Sequence, residues 1–223
     1  GRVRSLLVDL VPLIRAEGGR LSRDEYVSGI LTSVTNELAR LRQALAGELP
    51  PMDIPAGIPG FVRKLTEEQR IAVAHLAALP HGANFSVPGA GKTTMLLAIH
   101  QLLKERGEVE ALLVVAPRNA FRPWEEEVAL CLGGNAQVTR LINGEAAIRA
   151  ALQNARDLTN TIFLVPYTQL AATLDVIEGW PADHPEAPLV LDESHRSRRA
   201  AGGVGGGATR RRAPLPRRAG VLT

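Results

Sequence analysis

The stretch Ser86-Val87-Pro88-Gly89-Ala90-Gly91-Lys92-Thr93-Thr94 constrains this chain more than any other. Gly91, Lys92 and Thr93 meet the spacing Gly-x-x-x-x-Gly-Lys-Ser/Thr, and Ser86 stands where the first glycine would be. Such a loop serves a phosphate chain only where a strand enters it and a helix leaves it, because the helix start supplies outward N–H groups and the positive end of a dipole. That setting is legible. Ala83 to Val87 is a candidate strand, and Met95, Leu96, Ile99, Leu102 and Leu103 follow at helical spacing until Gly107 stops the helix. Pro88, Gly89, Ala90, Gly91, Lys92, Thr93 and Thr94 are therefore the candidate nucleotide-binding set. Gly89 to Gly91 leave room for consecutive N–H groups to face phosphate. Lys92 is expected to reach the β- and γ-phosphates of ATP, and the Thr93 hydroxyl to ligate Mg²⁺, a cation that takes oxygen ligands octahedrally. The competing reading, a Gly-rich turn that binds nothing, does not account for this context.

The rest of the chain alternates in a way that extends the setting. Ala111 to Ala116 is a continuous apolar run ended by Pro117, as in a strand buried on both faces. Gln137 to Ile142, Thr161 to Val165 and Leu189 to Leu191 repeat that pattern. Between them, Asn119 to Leu130, Glu145 to Ala155 and Thr168 to Ile177 read as helices; the first carries Phe121, Trp124, Val128 and Leu132 inward and Glu125, Glu126 and Glu127 outward. The alternation predicts an α/β fold with a parallel sheet and helices on both faces. Ligands of such sheets lie at the carboxyl ends of the strands. The phosphate loop, Pro117-Arg118-Asn119, Pro166-Tyr167-Thr168 and Asp192-Glu193 all follow strand ends, so one edge should gather them.

Ahead of this lobe, residues 1 to 46 read as a helical hairpin. Val3, Leu6, Leu7, Leu10 and Ile14 form one stripe, interrupted by Pro12, and Ser22 to Glu25 caps a second helix carrying Val27 to Leu45. Gly47 to Gly60 holds four prolines and three glycines, a linker composition at which a domain boundary is expected. Leu65-Thr66-Glu67-Glu68-Gln69 then opens a helix through Leu79. Gln69 has two readings, the reciprocal partner of Thr66 in a capping box or an amide that pairs with an adenine edge.

Composition excludes some classes. No apolar run reaches the roughly 20 residues that span a bilayer, and no signal peptide is evident, so a cytoplasmic protein without a membrane partner is expected. Cys131 is the only cysteine, which suits a small buried hydrophobe. The net charge of +3 conceals eight arginines and no acid in residues 196 to 223, leaving 18 basic and 23 acidic side chains before them. The basic balance belongs to the tail.

A second chemical site stands at Asp192-Glu193, after the apolar strand. Asp192 is expected to hold Mg²⁺ through its water shell and Glu193 to take the proton of an attacking water. Asp192-Glu193-Ser194-His195, the loop Pro-Gly-Ala-Gly-Lys-Thr and their order resemble the first RecA-like lobe of superfamily-two helicases and translocases, closest to the Swi/Snf-like DEAD/DEAH-box branch, over about residues 61 to 223. The resemblance implies a RecA-like P-loop NTPase lobe that hydrolyses ATP. It implies that Gln69 reads adenine, that Lys92, Asp192 and Glu193 are catalytic, and that His195 links hydrolysis to the nucleic-acid side. Ala116-Pro117-Arg118-Asn119 with Trp124 and Glu127 is similar to the motif that follows the family's second strand, and Pro166-Tyr167-Thr168 to a segment beside the nucleic-acid backbone. Arg118, Asn119, Tyr167 and Thr168 are thus the implied nucleic-acid residues, with DNA preferred to RNA.

Between the Asp-Glu motif and the next strand this branch carries a flexible basic segment. Residues 196 to 218 look like it, and Gly220-Val221-Leu222-Thr223 like the start of a strand that would continue into Gly-Thr-Pro. A second RecA-like lobe, missing here, would supply arginines to the transition state, so this chain alone is expected to be inactive or nearly so. Two other classes compete: a P-loop regulatory ATPase acting on protein partners, and a small-molecule kinase, for which no acceptor pocket or lid is evident.

Overall fold

The computed structural model describes residues 46–79, 81–154, 161–170, 187–192 and 219–222, with scattered helical positions between 32 and 44. The elements are α1 (Glu67–Ala78), α2 (Lys92–Glu105), β1 (Leu112–Ala116), α3 (Phe121–Leu132), β2 (Gln137–Arg140), α4 (Glu145–Asn154), β3 (Thr161–Pro166), the short α5 (Tyr167–Leu170), β4 (Leu189–Leu191) and β5 (Ala219–Leu222).

Every strand pair in the five-stranded sheet, ordered β2-β3-β1-β4-β5, is parallel. The alternation therefore produced the α/β architecture expected of it. β1 is central: Val114 lies opposite Leu164 of β3 and Val190 of β4, and all five residues of β1 are buried. Period-two alternation divides the strands between two cores. Leu112, Val114, Ala116, Ile162, Leu164 and Val190 face Val73, Leu97, Phe121, Trp124 and Val128 on one side. Leu113, Val115, Phe163 and Val165 face Leu141, Ile148, Leu152 and Tyr167 on the other.

Local chemistry sets the helix ends. Thr66 Oγ1 accepts from the Gln69 N–H at 3.3 Å, and Gln69 Oε1 accepts from the Thr66 N–H at 3.1 Å, so the capping box is formed. α3 begins later than its apolar spacing suggests, because Arg118–Ala120 is a tight 3₁₀ turn and Pro123 sits in the first helical turn, where its missing N–H removes no bond. Gly133, at φ 60°, closes that helix.

Two expectations are corrected. Ala83 to Val87 is not a strand: only Ala83 makes a bridge, and Phe85 and Val87 are 89% and 71% exposed. Side chains so exposed bury too little to hold a strand in a core. Glu127 does not point outward with Glu126 but turns in toward α2. The Pro/Gly segment ahead of the lobe is irregular, as its composition requires, yet it is laid onto the lobe: the Met52 N–H donates to Ala74 O at 2.8 Å, Gln101 donates to Pro59 O at 2.9 Å, and Ile58 joins the core. The helical hairpin expected in residues 1 to 46 lies mostly outside the described residues; Arg40, within its helical stretch, donates to Ala78 O at 2.8 Å.

Candidate nucleotide site

The phosphate loop is shaped by its neighbours. Gly89 and Gly91 adopt φ 84° and 79°, and Gly91 is the N-cap of α2 without any side-chain cap. A 14-residue helix thus starts with N–H groups that no side chain satisfies, the donor arrangement that anions occupy. The Ala90 N–H is turned inward to Val87 O at 3.2 Å, so the donors facing outward come from Gly91 onward. Lys92 heads the helix, and its ammonium has no hydrogen-bond or ion-pair partner among the described residues. Ser86, in place of a first glycine, is held by buried Asn84, whose Oδ1 accepts from the Ser86 N–H at 3.0 Å and from its hydroxyl at 2.6 Å. Only Asn143 among non-glycine described residues has positive φ, so Ser86 needs no glycine freedom.

Gln69 performs more than a cap. Its Nε2 donates to Ala90 O at 3.0 Å, joining the start of α1 to the loop. Each end of the amide still has bonding capacity: Oε1 has a second lone pair and Nε2 a second hydrogen. Thr94 is buried, and its hydroxyl donates to Glu127. The same Glu127 oxygen pairs with Arg63 at 2.5 Å and accepts from the Cys131 thiol at 3.6 Å. Burial, reinforced by the Glu127 charge, pushes that thiol up to about 12, so Cys131 is an inert buried hydrophobe.

Asp192 follows β4, its N–H donating to Val115 O at 2.9 Å. Its Oδ2 accepts from the Trp124 indole at 2.8 Å, and its carbonyl accepts from the Tyr167 hydroxyl at 2.8 Å. Because Val115 is opposite Leu191 and Ala116 opposite Pro166, the residues after β1, β3 and β4 emerge on one edge. Arg118, Asn119 and Thr168 are exposed there, whereas Tyr167 is buried at 7% exposure and serves as a tie between α5 and β4 rather than a surface contact. Glu193 and His195 lie outside the described residues.

The donor chemistry fits Mg-ATP: an uncapped helix start, an uncommitted ammonium, the Thr93 hydroxyl and one carboxylate. Among the described residues there is no cluster of His, Cys, Asp or Glu able to hold a metal by itself. Sequence reasoning missed Asn84 and Arg63. An Asn two residues before a Ser is a turn signal that could have revealed the first; nothing local marks the second.

Fold and loop together define a P-loop α/β lobe. The chain belongs to the family described as type III restriction enzyme, res subunit, whose model matches residues 64–210. This agrees with the superfamily-two RecA-like lobe that its motifs imply. No curated protein matches the chain. Among solved structures it is similar to the Sulfolobus solfataricus SWI2/SNF2 ATPase core in complex with dsDNA, at 14% identity and TM-score 0.48, over 75% of this chain and 33% of that one. It is also similar to the Sulfolobus solfataricus SWI2/SNF2 ATPase core domain, at 15% identity and TM-score 0.47, over 78% and 35%. The chain thus spans about a third of the length of these structures. No helix among the described residues is long and apolar enough to cross a membrane.

Proposed function

We propose that this chain is the ATP-binding lobe of a nucleic-acid-dependent ATPase of helicase or translocase type. The observation that carries the reading is the uncapped start of α2 at Gly91, behind a second left-handed glycine and headed by Lys92. Lys92 and the first N–H groups of α2 hold the phosphates of the substrate, ATP. Thr93 and Asp192 would hold Mg²⁺, which when bound would supply charge neutralisation on the phosphoryl oxygens. Glu193, next in sequence, accepts the proton of the attacking water. The spare lone pair and N–H of Gln69 suit the donor–acceptor edge of adenine. Arg118, Asn119 and Thr168, exposed on the shared edge, contact the nucleic-acid backbone, with DNA as the preferred partner.

A guanidinium preorganised at the phosphoryl oxygens stabilises developing charge, an effect worth about 10³ to 10⁵ in turnover. We infer that this chain by itself hydrolyses ATP very slowly and that a second lobe supplies those donors. The test is a thermal shift with Mg-ATP on the parent and Lys92→Ala. Mg-ATP should raise the melting temperature of the parent only; equal shifts would refute the nucleotide site. ATPase activity of the intact protein that ignores added DNA and RNA would refute the nucleic-acid dependence.

A further inference from the structure

Trp124 and Glu127 are three residues apart on α3, a spacing that places both side chains on one helical face. One reaches each half of the nucleotide site. Trp124 is 2% exposed within the core, so its ring cannot turn without displacing packed neighbours, and its buried N–H needs an acceptor. It finds Asp192 Oδ2 at 2.8 Å. Glu127 accepts from the Thr94 hydroxyl in the first turn of α2, while Arg63 at 2.5 Å compensates its charge. Sheet pairing fixes β4 to β1, and the indole bond holds the Asp192 carboxylate itself. Packing fixes the axis of α2, and the Thr94–Glu127 bond fixes its first turn.

We propose that α3 is a positioning bracket, Trp124 orienting the Asp192 carboxylate and Glu127 anchoring Thr94, so that phosphate loop and metal-holding strand end keep one spacing. This rests on the nucleotide-site reading above. Trp124 and Glu127 are positioning residues, acting through Asp192 and Thr94. A merely structural role would lower stability and binding under all conditions alike. Positioning of Asp192 acts only when the cation is present.

Trp124→Phe keeps a ring in the core and removes the N–H. Binding of a fluorescent ATP analogue to the full chain is measured in EDTA and through a magnesium titration, for the parent, Trp124→Phe and Lys92→Ala. Affinity of Trp124→Phe in EDTA should stay within about twofold of the parent, while the gain on adding Mg²⁺ falls by about tenfold, the scale of one hydrogen bond to a charged group. An unchanged magnesium gain, or an equal loss in both conditions, overturns the bracket. Lys92→Ala separates the two ideas: if it binds as the parent does, the nucleotide site itself is wrong. Glu127→Ala should weaken binding in EDTA as well, and Glu127→Gln, which keeps an acceptor for Thr94, should restore most of it; equal losses refute the anchoring role. Should Trp124→Phe not fold, Trp180→Phe leaves Trp124 as the only tryptophan. Its emission should shift on adding Mg-ATP and much less on adding ATP in EDTA, and identical responses overturn the proposal.

Discussion

Gly91→Ala tests how the phosphate loop is built. At φ 79° the residue is left-handed, which costs an L-residue about 1–2 kcal/mol. A Cβ there would also stand 2.5 Å from Gln69 Nε2 and 3.2 Å from Thr94 Oγ1. The first distance is untenable, so the Gln69 amide must leave Ala90 O, forfeiting a hydrogen bond of about 0.5–1.5 kcal/mol. The sum is about 1.5–3.5 kcal/mol. Gly89→Ala is the control, since Gly89 has φ 84° but nothing within 4 Å of an added Cβ, leaving only the conformational cost of about 1–2 kcal/mol. Urea unfolding with unchanged slope measures both. In a Gln69→Ala background the steric part of the Gly91→Ala cost should vanish, a coupling of about 1 kcal/mol in a double-mutant cycle. Equal costs for the two glycines, or an undiminished cost without Gln69, would refute the contact between amide and loop.

Glu193→Gln in the intact enzyme should bind ATP normally and turn over about 10²-fold or more slowly, as loss of a general base requires; normal turnover would make Asp192-Glu193 an acidic turn. His100, buried on α2 with an unpartnered Nδ1, is lowered to about 4, first by burial and then by Lys104. Its folded value lies below the unfolded one, so its share of stability is intact above about pH 6.5 and is lost as pH falls toward 4, about 3 kcal/mol in all; urea unfolding of His100→Gln should show a shallower acid loss than the parent. Replacing Arg210, Arg211, Arg212, Arg217 and Arg218 by Gln should flatten the salt dependence of DNA binding, because each phosphate contact releases counterions. Deletion would be the wrong experiment, since it also removes β5, which pairs with β4.

The sheet was legible because strands buried on both faces leave unbroken apolar runs: Ala111 to Ala116 and Thr161 to Val165 differ from β1 and β3 only at their ends. The strand expected before the phosphate loop was not, since Phe85-Ser86-Val87 alternates as a strand does while its apolar members face solvent. Capping is local chemistry, so Thr66 and Gln69 declared themselves, but the reach of the same amide to Ala90 is a tertiary fact with no local mark. Tyr167 illustrates the converse: the resemblance implied a contact beside nucleic acid, whereas the packing of α5 buries the ring and closes its hydroxyl on the Asp192 carbonyl.

The inward turn of Glu127 raises an electrostatic problem whose solution is itself testable. A carboxylate 19% exposed beside the proposed phosphate-binding helix start would oppose the charge of a bound phosphate chain, and less water screens it there than at the surface. Arg63 resolves the conflict. Its guanidinium, 43% exposed and 2.5 Å from Glu127, makes the pair neutral as seen from the loop, so the field at the phosphates is left to Lys92 and the α2 dipole. Arg63 comes from the irregular segment just before the capping box, which gives that segment a reason to be laid onto the lobe. Arg63→Gln should therefore weaken ATP binding most at low salt, with the deficit shrinking as ionic strength rises and screening replaces the lost charge. Introducing Glu127→Gln alongside it removes the uncompensated carboxylate and should recover the affinity. A deficit that ignores salt, or that persists in the double variant, would mean that Arg63 acts through packing and not through charge.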